Sequence, residues 1–274
     1  MRMFERCYNY INNFLSNILN CNKIKFLSKQ ETANFIAEDK DKYIASLSKS
    51  DLIARRINNK RTYLIHSYNS AIDFTIEDKQ KLIYASKEAD KFLSIVSSKY
   101  ISNYLITNIK WRFAFTYSKN YEYGLSHTRS NIIFLSSSIM NVELNKLIET
   151  LIHEKVHLYQ RLYKTLFNIA LFREGYRVAN LRKEEPLIRA NPDLDEYTYR
   201  NPSGVKMMYR YKTYYPSSIF DIEYNNNEQE HPYEEIAYNI ATQYSNKNNN
   251  IDNIDIENID YNTITTDKDR KSVV

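Results

Sequence analysis

Three side chains that lie close together in the sequence could act on one metal ion. They are His153, Glu154 and His157, and the segment reads H-E-x-x-H. Residues four apart share one face of an α-helix, so the two imidazoles can point at the same ion. Glu154 lies one position round from the first imidazole, where its carboxylate can reach a water on that ion but cannot easily ligate it. Two imidazoles and a nearby carboxylate supply the ligands and the general base that zinc-dependent hydrolysis requires.

The motif needs a helix, and its surroundings predict one. Apolar side chains recur along one face from Leu147 to Tyr163, and no Gly or Pro interrupts the run from Asn141 to Phe172. The chain has only 5 His among 274 residues, so a chance match should arise less than about one time in a hundred. We therefore interpret the motif as a zinc site. The alternative is an interaction protein in which this helix serves only as core.

Composition limits the remaining function classes. Hydrophobic residues make up 43% and charged residues 26% of the chain, as in ordinary soluble globular proteins. No apolar run approaches the roughly 18 residues of a membrane helix. The net charge is +5, and the basic residues are scattered along the chain and mixed with acidic ones. This distribution argues against nucleic acid as a partner. Cys7 and Cys21 form neither a disulfide framework nor a metal-ligand pattern, so we expect reduced thiols and an intracellular setting.

The sequence divides into three regions. Residues 1–104 read as a mostly helical support region, in which His66 stands alone and is interpreted as structural. Residues 105–245 carry the chemistry. Residues 246–274 are rich in Asn and Asp with isolated Ile, and they are predicted to be a disordered tail because they can bury too little apolar area.

Two strands are predicted just before the motif helix. Trp111–Tyr117 alternates apolar and polar side chains, and Ile132–Leu135 is a short apolar run. His127 and Arg129 precede the second strand and could reach the site, although exposed loop positions explain them as well. We predict an α+β fold, with a small antiparallel sheet packed on the motif helix and on a second, Glu-bearing helix.

A catalytic zinc site takes three protein ligands and leaves one position open. No other His follows the motif at short spacing, so a carboxylate is expected, and His231–Tyr244 offers one. Pro232 suits the first turn of a helix, and Glu234 and Glu235 follow it near the positive end of the helix dipole. Glu234 shares a face with small residues, which would allow a close approach to the motif helix; these are Ala237 and Ala241, with Tyr238 beside them.

H-E-x-x-H followed on a later helix by Glu-x-x-Ala resembles the gluzincin class of zincin-type metallopeptidases. The resemblance covers about Tyr104–Tyr244 and implies that Glu234 is the third zinc ligand. In the other register known in this class, Glu-x-x-x-Asp, Glu235 would ligate, and Asn239 would stand where an Asp is expected.

The same resemblance implies a zinc-dependent peptidase with a zincin-like fold. Glu154 would act as general base, the substrate would be a peptide or protein, and the strand before the motif helix would form the sheet edge beside the cleft. An oxyanion stabiliser is also required; the candidates are His231, Tyr238 and a tyrosine of Tyr197–Tyr215. The alternative is a zincin-like structural or protein-binding module without catalysis, against which the intact Glu154 argues.

Overall fold

The chain has an α+β fold in which helices surround one central sheet. The computed structural model describes residues 23–223 and 230–257, with side chains described as far as residue 246. The helices of these residues are α1 (Lys29–Glu38), α2 (Tyr43–Ser46), α3 (Lys49–Ala54), α4 (Lys60–Asn69), α5 (Ile76–Leu93), α6 (Asn103–Asn108), α7 (Leu144–Leu162), α8 (Lys164–Arg173) and α9 (Pro232–Glu257). The strands are β1 (Ile24–Phe26), β2 (Trp111–Thr116), β3 (His127–Arg129), β4 (Ile132–Ser136), β5 (Arg177–Leu181), β6 (Tyr197–Arg200), β7 (Lys206–Met207), β8 (Arg210–Tyr211) and β9 (Ile222–Glu223).

The main sheet has the strand order β1-β2-β4-β3. β1 pairs with β2 in parallel, β2 pairs with β4 in parallel, and only β3 and β4 are antiparallel. The prediction of an antiparallel sheet is therefore wrong. The two predicted strands, β2 and β4, lie side by side and run in the same direction, because the short strand β3 forms a hairpin with β4 on its far side.

The strand before the motif helix also has a different place from the expected one. β4 is an inner strand, and the edge beside it is formed by β3. All three residues of β3 are buried. The expectation of exposed loop positions for His127 and Arg129 is therefore wrong. A three-residue strand gives too short an alternation to be recognised in the sequence.

The N-terminal region contributes a strand as well as helices. In β1, Ile24 pairs with Trp111 and Phe26 with Phe113, so the sheet extends across position 104. Its core is shared in the same way, because Leu82 and Leu93 of α5 are fully buried in the cluster that contains the motif helix.

The motif helix lies at the centre of the molecule as α7. Its apolar stripe is fully buried between the sheet, α5 and α9; it includes Leu147, Leu151, Ile152 and Val156. Burial of each such side chain contributes about 1.5–3 kcal/mol. The helical run ends at Tyr163, where the backbone has φ −117° and ψ 37°, and α8 begins at the next residue.

The Glu-bearing helix is α9, and it packs on α7. It begins at Pro232 and continues through Glu257, past position 246, where the predicted tail starts. Residues 258–274 lie outside the described residues, so most of the predicted tail remains a prediction.

Two small antiparallel sheets follow the motif helix, with the orders β5-β6-β7 and β8-β9. They include Tyr197, Tyr199 and Tyr211 of the tyrosine-rich segment Tyr197–Tyr215, in which β6 and β7 form a hairpin whose turn has Gly204 at φ +82°. Among the described residues, no helix combines the length and apolar character needed to cross a membrane.

Candidate metal centre

Two imidazoles and one carboxylate meet between α7 and α9. His153 Nε2 lies 2.9 Å from His157 Nε2. Glu234 Oε2 lies 3.3 Å from the first of these nitrogens and 3.6 Å from the second. Ligands at about 2.0–2.2 Å from a tetrahedral zinc ion are separated by about 3.3–3.6 Å. The two distances from the carboxylate match this spacing, and the distance between the imidazoles is slightly shorter.

The close contact of α7 and α9 brings these ligand candidates together. Ala237 and Ala241 are almost completely buried, at 0% and 2% exposure, so α9 has no large side chain at these positions of its contact face. Tyr238, which was predicted on the same face, is 51% exposed and points away. Glu235 also points elsewhere, because it lines a separate cavity with Tyr176. The structure therefore brings Glu234, and not Glu235, to the two imidazoles.

A glutamine fixes the orientation of His157. His157 Nδ1 lies 2.7 Å from Gln160 Oε1, and Gln160 Nε2 donates to the carbonyl oxygen of Tyr233 at 2.9 Å. Since an amide oxygen only accepts, Nδ1 donates to Gln160, and Nε2 is the ring nitrogen left to face an ion. Ligating histidines commonly donate their other ring N–H in this way. Gln160 follows His157 by three helical positions, a spacing from which the sequence could have identified it.

An asparagine fixes Glu234. Asn191 Nδ2 donates to Glu234 Oε1 at 2.7 Å and to Glu230 Oε1 at 2.8 Å. Glu234 Oε2 is thereby left to face the imidazoles. Asn191 lies in a loop, and no periodicity or motif of the sequence indicates it.

The electrostatics of the cluster favour a positive charge at its centre. Burial raises the pKa of Glu234, but His157 and then His153 outweigh burial and hold that pKa well below its usual range. Burial lowers the pKa of His157, but Glu234 and then Asp193 outweigh it and raise the pKa to about 10. A zinc ion would supply this positive charge in place of the proton on His157, and two imidazole nitrogens with a carboxylate oxygen are suitable zinc ligands, so these residues fit a zinc ion.

Glu154 lies beside the cluster and is almost completely buried, at 2% exposure. Its Oε2 has no hydrogen-bond partner among the described residues. Burial raises the pKa of Glu154 well above its usual range, and Asp193 raises it further, whereas His157 acts in the opposite direction. A buried carboxylate with a free oxygen costs several kcal/mol unless it is protonated, paired or close to an ion. A cation held by the neighbouring imidazoles would favour the ionised form of Glu154, which is the form that can accept a proton.

A cavity of about 230 Å³ opens onto the metal-ligand candidates. Its lining includes His153 and Glu234, together with the buried His127 of β3 and, from the loop, Asn191 and Asp193. A larger cavity of about 670 Å³ lies on the other side of the same loop. Residues 190–193 line both cavities, so this segment separates them.

The other histidines of the sequence are not brought to the imidazoles. His66 is exposed on α4. His231 is buried at the start of α9, where its Nδ1 accepts from the backbone N–H of Tyr233 at 3.1 Å and its Nε2 lies 3.3 Å from Asp195. It contacts the rings of Tyr199 and Tyr233.

Arg129 and Tyr209 are two further residues that the sequence placed near the site. Arg129 is fully buried and forms ion pairs with Asp39 and Asp41, so it has a structural role. Tyr209, which belongs to the predicted tyrosine-rich segment, lines the 230 Å³ cavity beside Arg189.

Comparison with known proteins gave no match to a protein-family model, a curated protein sequence or a solved structure.

Proposed function

We propose that the chain is a zinc-dependent hydrolase of the zincin type, and specifically a peptidase. The observation that carries the proposal is the convergence of His153, His157 and Glu234 between two helices, with separations near those of tetrahedral zinc ligands. Glu154 completes the set, since it adds a buried carboxylate with a free oxygen beside the proposed ion.

When bound, zinc supplies Lewis acidity and lowers the pKa of water from about 15.7 to about 7. Residues of the chain would carry out the proton transfers and stabilise the developing charge. Glu154 accepts a proton from the attacking water and then delivers it to the leaving nitrogen, so that a C–O bond forms, the C–N bond breaks and Glu154 ends as it began. Tyr209 is our candidate for the hydroxyl that stabilises the developing oxyanion, because it lines the cavity.

The test combines metal content with turnover. We expect about one zinc ion per chain in the parent protein and in the Glu154→Gln variant, and little zinc after His153→Ala. Glu154→Gln keeps the size of the side chain but removes the base, so hydrolysis of a peptide library should fall about 10²–10⁴-fold. Glu149→Gln, a matched change on the same helix, should leave turnover unchanged.

The possible outcomes separate the competing interpretations. Unchanged turnover in Glu154→Gln would exclude the proposed mechanism, and loss of folding would indicate a structural carboxylate. If the parent binds zinc but no peptide is cleaved, the non-catalytic zincin-like module becomes the better interpretation. If no metal binds at all, the zinc site itself is wrong.

A further inference from the structure

The 230 Å³ cavity contains a hydrogen-bond acceptor that has no donor. His127 Nδ1 lies 2.9 Å from the carbonyl oxygen of Leu125 and must donate to it, so Nε2 is the acceptor nitrogen. This nitrogen is buried and has no hydrogen-bond partner among the described residues. Burial also lowers the pKa of His127, which favours the neutral ring with its free lone pair.

The cavity also contains a carboxylate that has no Lys or Arg partner among the described residues. Asp193 is 7% exposed, and its Oδ1 accepts from the backbone N–H and the hydroxyl of Thr128, the latter at 2.8 Å. In the described part of the chain, no Lys or Arg forms an ion pair with Asp193. The two arginines that line the cavity are engaged elsewhere; the pairs are Arg55 with Glu122 and Arg189 with Glu230.

The small volume of this cavity and the blocked strand edge beside it favour the end of a peptide chain over its middle. Its volume of about 230 Å³ lies below the roughly 300–1,000 Å³ of pockets that hold drug-sized ligands. The edge of β3 is closed to a passing strand at Thr128. Its N–H is bonded to Asp193, and its carbonyl oxygen accepts from Arg161 at 3.3 Å.

We propose that this cavity binds the free ammonium group of the first residue of a peptide. The ammonium group would donate to the carboxylate of Asp193 and to Nε2 of His127, and the first peptide bond would lie at the zinc site. The cavity disfavours the carboxyl terminus of a peptide, because that group would be repelled by Asp193 and Glu230. Both arginines that line the cavity already form ion pairs with other carboxylates. The inference rests on the proposed function, and it defines the substrates as peptides with an unblocked amino terminus, shortened by one residue per turnover.

A binding experiment tests the amine site without requiring turnover. L-alaninol and N-acetyl-L-alaninol would be titrated calorimetrically into the zinc-loaded protein. We expect binding of the free amine only, weakened about 10- to 150-fold by Asp193→Asn, as for the loss of a charged hydrogen-bond partner. The asparagine keeps an oxygen for Thr128. Glu196→Gln, which removes one charge from the neighbouring loop and lines only the larger cavity, is the matched control.

His127→Asn tests the second acceptor. The amide nitrogen of asparagine can still donate to Leu125, but nothing replaces Nε2, so binding of L-alaninol should again weaken. Equal binding of the two alaninols would overturn the inference. Equal binding of L-alaninol by the parent protein and Asp193→Asn would also overturn it, because the amine would then bind the zinc ion directly.

Hydrolysis gives a second and separate readout. Pentapeptides with a free amino terminus should lose their first residue, whereas the same peptides with an acetylated terminus should be cleaved at least about tenfold more slowly. Cleavage of internal bonds in acetylated peptides would overturn the amine site and leave the proposed peptidase standing. Binding of L-alaninol without any hydrolysis would support the amine site and reject the peptidase.

Discussion

Gln160 links the two site helices through a single side chain. It accepts from His157 Nδ1 on α7 and donates to the backbone oxygen of Tyr233 on α9. It therefore fixes both the tautomer of one ligand candidate and the start of the helix that carries the other. Glu234, the next residue after Tyr233, depends on the same contact.

We expect Gln160→Met to weaken zinc binding by about 10- to 100-fold, the usual cost of losing a partner of a ligating histidine. Methionine fills a similar volume but cannot accept from Nδ1. Zinc affinity would be measured by competition with a chelating dye, alongside urea unfolding. Gln243→Met, at an exposed position of α9, is the control, and an unchanged zinc affinity in Gln160→Met would show that His157 needs no such partner.

The residues of the site differ in how far the sequence could predict them. The grouping of His153, His157 and Glu234 was predictable because each lies in a regular helix with a defined spacing. Asn191 and Asp193 were not, because they come from a loop whose position depends on contacts distant in the sequence. The burial of His127 was missed for the same reason.

At the level of elements, the contact between α7 and α9 sets the geometry of the site. Ala237 is fully buried and lies three positions after Glu234, on the same face of α9. Any larger side chain there must push the two helices apart or deform their packing.

Ala237→Leu should therefore lower the free energy of unfolding by about 1–3 kcal/mol through overpacking. It should also weaken zinc binding, because it moves Glu234 away from the imidazoles. Asn239→Leu, at an exposed position of the same helix, should change stability by no more than about 0.5 kcal/mol. Zinc titration and urea unfolding of both variants check this, and a fully stable Ala237→Leu protein with normal zinc affinity would contradict the close-contact argument.

In the main sheet, two strands could be predicted from the sequence, but their order and direction could not. The alternation of Trp111–Thr116 and the apolar run at Ile132–Ser136 identified β2 and β4. Strand direction and order could not be predicted, because β1 joins from a distant part of the chain and β3 has only three residues. The break at Tyr163 also lacks any Gly or Pro signal.

At the scale of the whole molecule, the buried ion pair of Arg55 and Glu122 joins the N-terminal helices to a later part of the chain. Arg55 follows α3, and it donates to both carboxylate oxygens of Glu122 and to the carbonyl oxygen of Ala190. Tyr63 of α4 also donates to Glu122. Burial raises the pKa of Glu122, but Arg55 outweighs burial, so that the pKa falls from its ordinary 4.5 to about 2.

This shift makes stability depend on acid pH. A carboxyl group with a depressed pKa in the folded state contributes stability above its unfolded pKa and loses it as the pH falls, here between about pH 5 and pH 2. The contribution of Glu122 is about 3 kcal/mol. Urea unfolding from pH 7 to pH 3 should show more than half of this loss.

The double variant Arg55→Met with Glu122→Leu should lose less stability over the same pH range, since it replaces the whole pair with apolar groups. Glu122→Gln alone should cost about 3–5 kcal/mol at pH 7, because Arg55 stays buried without its partner. An equal acid loss in the parent and the double variant would assign the effect to other carboxylates.

The pairing of β1 with β2 has a consequence for the order of folding. Ile24 cannot pair with Trp111 until Trp111 has been synthesised. In the same way, the imidazoles of α7 cannot contact Glu234 until α9 has been synthesised. Contacts between residues so distant in sequence close large loops and form slowly. During synthesis the sheet edge and the metal-ligand cluster are therefore late events. A ribosome-bound chain that ends before α9 would have both histidines and no complete ligand set.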